Sequence, residues 1–404
     1  MPQVRHTPTE RALLRLIAGT AGACVVFGFV VSSPREVISG IGDIVIAPDV
    51  LITDFVGLGG LGGAFAQAGV LTLIACATYR FSGARIDGAA VGCLYMVLGF
   101  GLFGKTVLNV WPILIGVALY ARFVHEPLRD SVTTAWFATA LSPVFSEIAF
   151  NSGLDRWIAV PAGLAIGVLI GFVVSPVARG LFRAHNGMTL YNMGFVAGIL
   201  GAVIVAVFSS FGLAPQPPMS WTDGNNASLL VLVVVMIAAV VATAFAVNRT
   251  PWRGLRALHS RTGQAPVDFI DSDGAGSTLL NMAIIGTLTT AVVFAIGADL
   301  NGPVVGGIVS VIGFGACGKH TVNIVPVMAG VLLGVWLKPL GLADPGVIWA
   351  LMFGTCLARS PDGSVRTGDC SRDSCTCRWP RSAACLPADS TCTGTGSRRG
   401  WLPR

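Results

Sequence analysis

Apolar stretches follow one another almost without pause, with only short polar connections between them. A helix that crosses a bilayer needs roughly 20 apolar residues. About twelve stretches approach that length: 12–32, 54–79, 87–104, 107–123, 132–150, 157–178, 190–212, 227–247, 278–298, 302–318, 321–342 and 345–358. The predicted fold is therefore an all-α integral membrane protein with about 12 transmembrane helices. The first stretch reads as an uncleaved anchor, because it is long, lacks a small-residue cleavage site and precedes further spans.

The polar connections alternate in character. Arginines gather at the N-terminus (Arg5, Arg11, Arg15) and in every second loop: Arg80/Arg85, Arg122/Arg129, Arg179/Arg183, and Arg249 to Arg261. The intervening loops carry Asp43 and Asp49, Asp155, and Asp223. Cytoplasmic loops collect Lys and Arg, which predicts a prokaryotic cytoplasmic (inner) membrane protein with its N-terminus in the cytoplasm. Composition agrees with a bilayer. Only 11% of the 404 residues are charged, against about 25% in a soluble domain. This excludes a soluble enzyme and a nucleic-acid binder.

The strongest signal is self-similarity. Residues 86–117 (IDGAAVGCLYMVLGFGLFGKTVLNVWPILIGV) align without a gap on 300–331 (LNGPVVGGIVSVIGFGACGKHTVNIVPVMAGV), 214 positions later, with 13 of 32 pairs identical. Apolar composition alone does not align Gly-Lys-x-x-x-Asn-x-x-Pro, so the segment is duplicated. Lys105 ends the third predicted span and Lys319 the tenth. An odd shift reverses direction, which predicts inverted-topology repeats with broken or re-entrant helices. A second recurrence groups Leu51-Ile52-Thr53-Asp54, Leu190-Tyr191-Asn192 and Leu279-Leu280-Asn281, each placing a carboxylate or carboxamide at the start of a span. The predicted organisation is a transmembrane anchor and external segment (1–50), a first membrane repeat (51–247), a cytoplasmic linker (248–277), a truncated second repeat (278–358) and a tail (359–404).

The tail breaks the pattern inside an apolar run. It holds eight of the 26 basic residues and five of the ten cysteines. Read one base out of phase, 357–365 becomes compatible with L-A-P-I-A-G-R-F-G and 388–400 with G-L-H-L-Y-G-N-G-F-A-A-G. These resemble Leu141-Ser142-Pro143-Val144 and Leu190 to Gly198 in the same order. The tail therefore reads as a frameshifted, disordered segment. The alternative is a Cys-rich module using Cys375, Cys377 and Cys385, but it has neither the paired knuckles nor the His partners usual for structural zinc.

Phe103-Gly104-Lys105 with Asn109 and Pro112, His185-Asn186-Gly187 before Leu190-Tyr191-Asn192-x-Gly194-Phe195, and Gly313-Phe314-Gly315 before Gly318-Lys319-His320 with Asn323 resemble the prokaryotic membrane proteins grouped as domain-of-unknown-function family 1576. The resemblance covers residues 12–358. It implies a multi-spanning membrane protein and no activity, and the chain departs from it after Arg359.

Polar groups at membrane depth are functional candidates by default. Lys105 with Asn109 and Lys319 with Asn323 lead. Each Lys follows a Gly, and Pro112 and Pro326 each leave a backbone carbonyl without its helical donor. The competing reading has both lysines snorkelling to opposite interfaces with the asparagines as helix caps. Asp54, Asn192 and Asn281 are either N-caps or walls of the same cavity, and Glu147 and Asp54 are candidate proton carriers. No zincin motif, P-loop or nucleotide domain occurs, so no catalytic residue, metal ligand or cofactor is expected. The expected function is a secondary transporter or facilitator for a small polar or anionic solute, working by alternating access. The alternatives are a channel, a membrane-embedded enzyme or an assembly protein. Expected partners are the lipid bilayer, the solute and a second copy of the chain in a homo-oligomer, with no nucleic acid.

Overall fold

A computed structural model describes residues 6–48, 53–185, 187–210, 212 and 221–357. The tail, where the frameshift reading applies, lies outside them. The helices are α1 (Pro8–Val31), α2 (Pro34–Ile46), α3 (Phe55–Ser82), α4 (Gly88–Phe100), α5 (Trp111–Phe123), α6 (Leu128–Ala138), α7 (Pro143–Asn151) and α8 (Arg156–His185). There follow α9 (Asn192–Ser210), α10 (Asn226–Val247), α11 (Leu255–His259), α12 (Phe269–Asp273), α13 (Ala275–Ala295), α14 (Gly302–Phe314), α15 (Thr321–Trp336) and α16 (Pro345–Phe353). Among the described residues all regular structure is helical.

Six of these helices, α1, α3, α8, α9, α10 and α13, are long and apolar enough to cross a membrane. Their lipid-side character is visible in exposed Val26, Phe29 and Val30 on α1 and in Val231, Val234 and Val235 on α10. The other six predicted spans are short. α4, α5 and α14 have 13 residues each, about 20 Å at 1.5 Å per residue, which falls short of a hydrocarbon core of roughly 30 Å. The predicted span 132–150 is interrupted: α6 ends at Ala138, a 3-10 turn covers Thr139–Leu141, and α7 restarts at Pro143. The predicted external segment after the anchor contains a helix. Ser33 and Glu36 cap α2 reciprocally, and α2 packs on α3.

At the centre of the main apolar core, α4 lies against α14. Gly88 sits against the carbonyl of Ala316, Gly92 against Gly313, Gly99 against Gly306, and Gly302 against the carbonyl of Leu102. Residue numbers rise along one helix as they fall along the other, so the pair is antiparallel. Small residues permit this backbone-to-backbone approach. The glycine-rich sequence shared by the two segments is thus explained by mutual contact. A second apolar cluster joins α5, α8 and α9 through Ile113, Val117, Ile170, Val174 and Val196.

Candidate functional site

Both short helices of the central pair end in a turn that cannot continue as helix. Gly104 and Gly318 adopt φ of +111° and +122°, values an L side chain resists. The following Lys105 and Lys319 fold back, their amides donating to Phe100 O (2.9 Å) and Phe314 O (3.1 Å). These glycines make the breaks, and the prolines do not. Pro112 is the second residue of α5, where a missing N–H goes unnoticed, and Pro326 lies within continuous α15.

Each break is held by a side chain from the preceding long helix. Gln67 of α3 donates to Gly101 O (2.6 Å) and Lys105 O (2.9 Å) and accepts from Val107 N (3.2 Å). Asn281 of α13 donates to Gly315 O (2.9 Å) and Lys319 O (2.8 Å). Asn109 and Asn323 close the loops from the other side. Asn109 Nδ2 reaches Gly104 O (3.0 Å) while its Oδ1 accepts from Thr106 N (2.8 Å). Asn323 does the same with Gly318 O (2.7 Å) and His320 N (3.0 Å). Every one of these bonds in the first set recurs 214 positions later, except that the shorter Asn281 leaves its Oδ1 without a partner.

Lys105 and Lys319 are both fully buried, so neither snorkels. An amino group at such depth must find acceptors. Lys105 Nζ donates to Trp136 O (3.2 Å) at the end of α6. Lys319 Nζ donates to Met352 O (3.3 Å) and to Thr355 Oγ1 at the end of α16. Phe100 flanks Lys105, and the Tyr191 ring lies 4.5 Å from Lys319 Nζ. Among the described residues neither lysine pairs with a carboxylate; the ion pairs there belong to His6, Arg85, Arg129, Arg179 and Arg261.

Asp54 is fully buried and caps two helices at once. It accepts from Val56 N (3.0 Å) on its own helix and from Gly302 N at the start of α14. Thr222 adds its amide (3.0 Å) and hydroxyl (2.6 Å). The counterpart of Asp54 is Asp268, which corrects its grouping with Asn192 and Asn281. Asp268 Oδ1 accepts from Ile270 N (2.8 Å), and its Oδ2 accepts from Gly88 N (2.9 Å) at the start of α4. Each carboxylate therefore reaches the start of a distant short helix, Asp54 that of α14 and Asp268 that of α4, where a helix N-terminus favours negative charge. Asp54→Ala is expected to lower stability by about 2–3 kcal/mol, since several donors lose a charged acceptor. Asp268→Ala should cost less because Asp268 is partly exposed. Thermal unfolding of the two variants in detergent checks the order.

The remaining candidates separate. Asn192 is partly exposed and is tied to α8, with Oδ1 on His185 Nε2 (2.8 Å) and Nδ2 on Ala178 O (3.3 Å). Tyr191, one residue earlier, is the group at the lysine. Glu147 on α7 is buried, with Oε1 accepting from Asn151 (2.7 Å) and Oε2 without a protein partner. Its neighbour Ser146 accepts from Asn109 (3.1 Å), which joins α7 to the first break. An open cleft of about 590 Å³ lies near Asp54 between Ser32, Gly60, Trp221 and Thr222. Its lining contains neither lysine. Among the described residues no group of three or more His, Cys, Asp or Glu converges.

Sequence reasoning missed Gln67, Asp268 and Thr355. Extending the 214-residue offset backwards finds the first two, as Thr53-Asp54-Phe55 falls on Val267-Asp268-Phe269 and Gln67 on Asn281. Thr355 follows from the 216-residue offset already visible at Leu141, because it matches Thr139, which likewise bonds the carbonyl three residues before it. The family model described as "Protein of unknown function (DUF1576)" matches residues 33–210 and 247–361. No curated protein and no solved structure matches the chain.

Proposed function

The chain belongs to the DUF1576 family, whose description carries no activity, and we propose from the geometry that it moves a small polar or anionic solute across the membrane as a secondary transporter. The two halves are inverted-topology repeats, and the solute meets Lys105 and Asn109 at one break and Lys319 and Asn323 at the other as the halves alternate in access. Asn281 holds the second break in shape, and Glu147 or Asp54 carries a coupling proton. The N-terminus faces the cytoplasm in this reading, which the clustering of arginine in alternate loops supports.

One observation carries this reading. Two matched broken elements lie antiparallel, each with a buried lysine at its break and each capped at its start by a distant carboxylate. Antiparallel packing of equivalent helices is what an inverted duplication produces, and such transporters place their sites at broken helices between the repeats. In the described state the lysine amino groups are satisfied by carbonyls at the ends of α6 and α16. An anionic group reaching either break would offer stronger acceptors than those carbonyls, because hydrogen bonds with an ionised partner are about twice as strong.

The topology is tested at Phe81 and Ala295, which are exposed near the ends of α3 and α13 and are 214 positions apart. Single cysteines there should react with a membrane-impermeant thiol reagent from opposite sides. Reaction from the same side would remove the inverted arrangement. For the solute, a library of small anions and polar metabolites is screened for thermal stabilisation of the purified protein. A hit is expected to lose its effect in Lys105→Ala or in Lys319→Ala, and a hit unchanged in both would take the lysines out of the site.

A further inference from the structure

Asp54 and Glu147 are both buried, and their surroundings are opposite in kind. Asp54 meets four donors: the amides of Val56, Thr222 and Gly302 and the hydroxyl of Thr222. Donors on both oxygens leave no acceptor for an added proton, so Asp54 stays a carboxylate. Glu147 has one donor. Its Oε1 accepts from the Asn151 side chain (2.7 Å), and its Oε2 is buried without a protein partner. Around it α7 packs on α8, with Gly163 of α8 against Phe145 and Ile148. From Trp157 to Ala178 that helix carries no charge, and its titratable residues stand at its two ends, Arg156 and then Arg179, Arg183 and His185. Lys105, the cation of the first break, donates instead to Trp136 O. No ion pair among the described residues includes Glu147.

A buried charge without a counter-ion costs far more than a buried hydroxyl, and the group takes up a proton instead. We propose that Glu147 is held as a neutral carboxylic acid with its proton on Oε2, and that it, not Asp54, is the proton carrier of the transport cycle. The second part rests on the transporter reading; the first stands without it. An acid kept neutral by apolar surroundings at neutral pH is a known arrangement, and ionisable groups at membrane depth mark proton relays by default. Its place suits that role. Ser146, the residue before it, accepts from Asn109, whose side chain also closes the first break on Gly104 O. Asn151, one turn further on, is exposed, so the acid lies one helical turn from the protein surface. Loss of the proton leaves a bare charge beside the contact with the break, and α7 must then move to bring that charge to water or to a cation.

A neutral acid in apolar surroundings has a diagnostic reaction with the apolar reagent dicyclohexylcarbodiimide. The carboxyl proton passes to a carbodiimide nitrogen, the carboxylate oxygen bonds to the central carbon, and the acyl group then migrates to nitrogen. The product is a stable N-acylurea containing every atom of both reactants. Full-length protein in liposomes at neutral pH is treated, digested and mapped by mass spectrometry. The adduct is expected on Glu147 and not on Asp54, and Glu147→Gln should remove it. Infrared spectra of unlabelled protein give a readout that does not depend on reagent access: wild type should show a protonated-carboxyl C=O band that Glu147→Gln lacks. Identical carboxyl bands in the two proteins would overturn the neutral acid, and an adduct on Asp54 would overturn the choice between the two residues. Neither readout needs a solute, so a failed solute screen would remove the transporter reading and leave the protonation of Glu147 standing.

Discussion

Gln67→Leu is expected to destabilise the protein more than any other single polar substitution at the two breaks. The glutamine sits fully buried on α3 and serves three backbone groups of the first break, Gly101 O, Lys105 O and Val107 N. Leucine fills much the same volume but leaves all three without that partner. At about 1–3 kcal/mol for each buried group left unpaired, the loss should reach ~4 kcal/mol. That is a large share of the roughly 5–15 kcal/mol that separates folded from unfolded chains. Asn281→Leu frees only Gly315 O and Lys319 O, so it should cost less. Gln67→Asn should fall between wild type and Gln67→Leu. Thermal unfolding of purified variants gives the ranking; a Gln67→Leu midpoint within a degree of wild type would show that the first break holds its shape without the side chain.

Gly306→Val, and likewise Gly99→Val, is expected to prevent recovery of folded protein. A Cβ on Gly99 would fall within contact distance of Gly306 O, and one on Gly306 would meet Gly99 O and the Phe103 ring. The obstacle is backbone on both sides, so no rotamer change relieves it. The cost should exceed the 1–3 kcal/mol usual for an overfilled core, because the central helices must separate. A second pair provides the control. Gly116 and Gly330 occupy equivalent places in the duplicated segment, but a Cβ on Gly116 would strike Val168 O and Gly171, whereas one on Gly330 meets nothing within 4 Å. Gly116→Val should therefore fail while Gly330→Ala gains up to about 1 kcal/mol from helix propensity. Yield of monodisperse protein on size exclusion separates these outcomes. Folded Gly306→Val protein would refute the close helix crossing.

These expectations rest partly on features that were legible in the sequence. Long apolar runs determine that the chain is helical and suited to a bilayer, because hydrocarbon leaves backbone polar groups no partner outside the helix. The 214-residue offset determines that the two Gly-Lys-x-x-x-Asn segments adopt the same turn, since identical local chemistry closes identical local hydrogen bonds. Run length was the misleading signal. The stretch 87–104 and its neighbours read as spans, although the helix stops short of the turn at Gly104, and hydropathy does not register a φ requirement.

What the tertiary structure decided is which groups meet. Asp54, Asn192 and Asn281 looked equivalent by their place before a span, yet Asp54 caps the distant α14, Asn281 braces a break and Asn192 stays with α8. The lysines had two readings from sequence, interface or interior, and only packing places them inside, against carbonyls of helices 31 and 33 residues further on. A repeat announces common ancestry through short-range pattern. The contacts between its copies depend on how the copies are placed in space, and one chain read in order carries no measure of that distance.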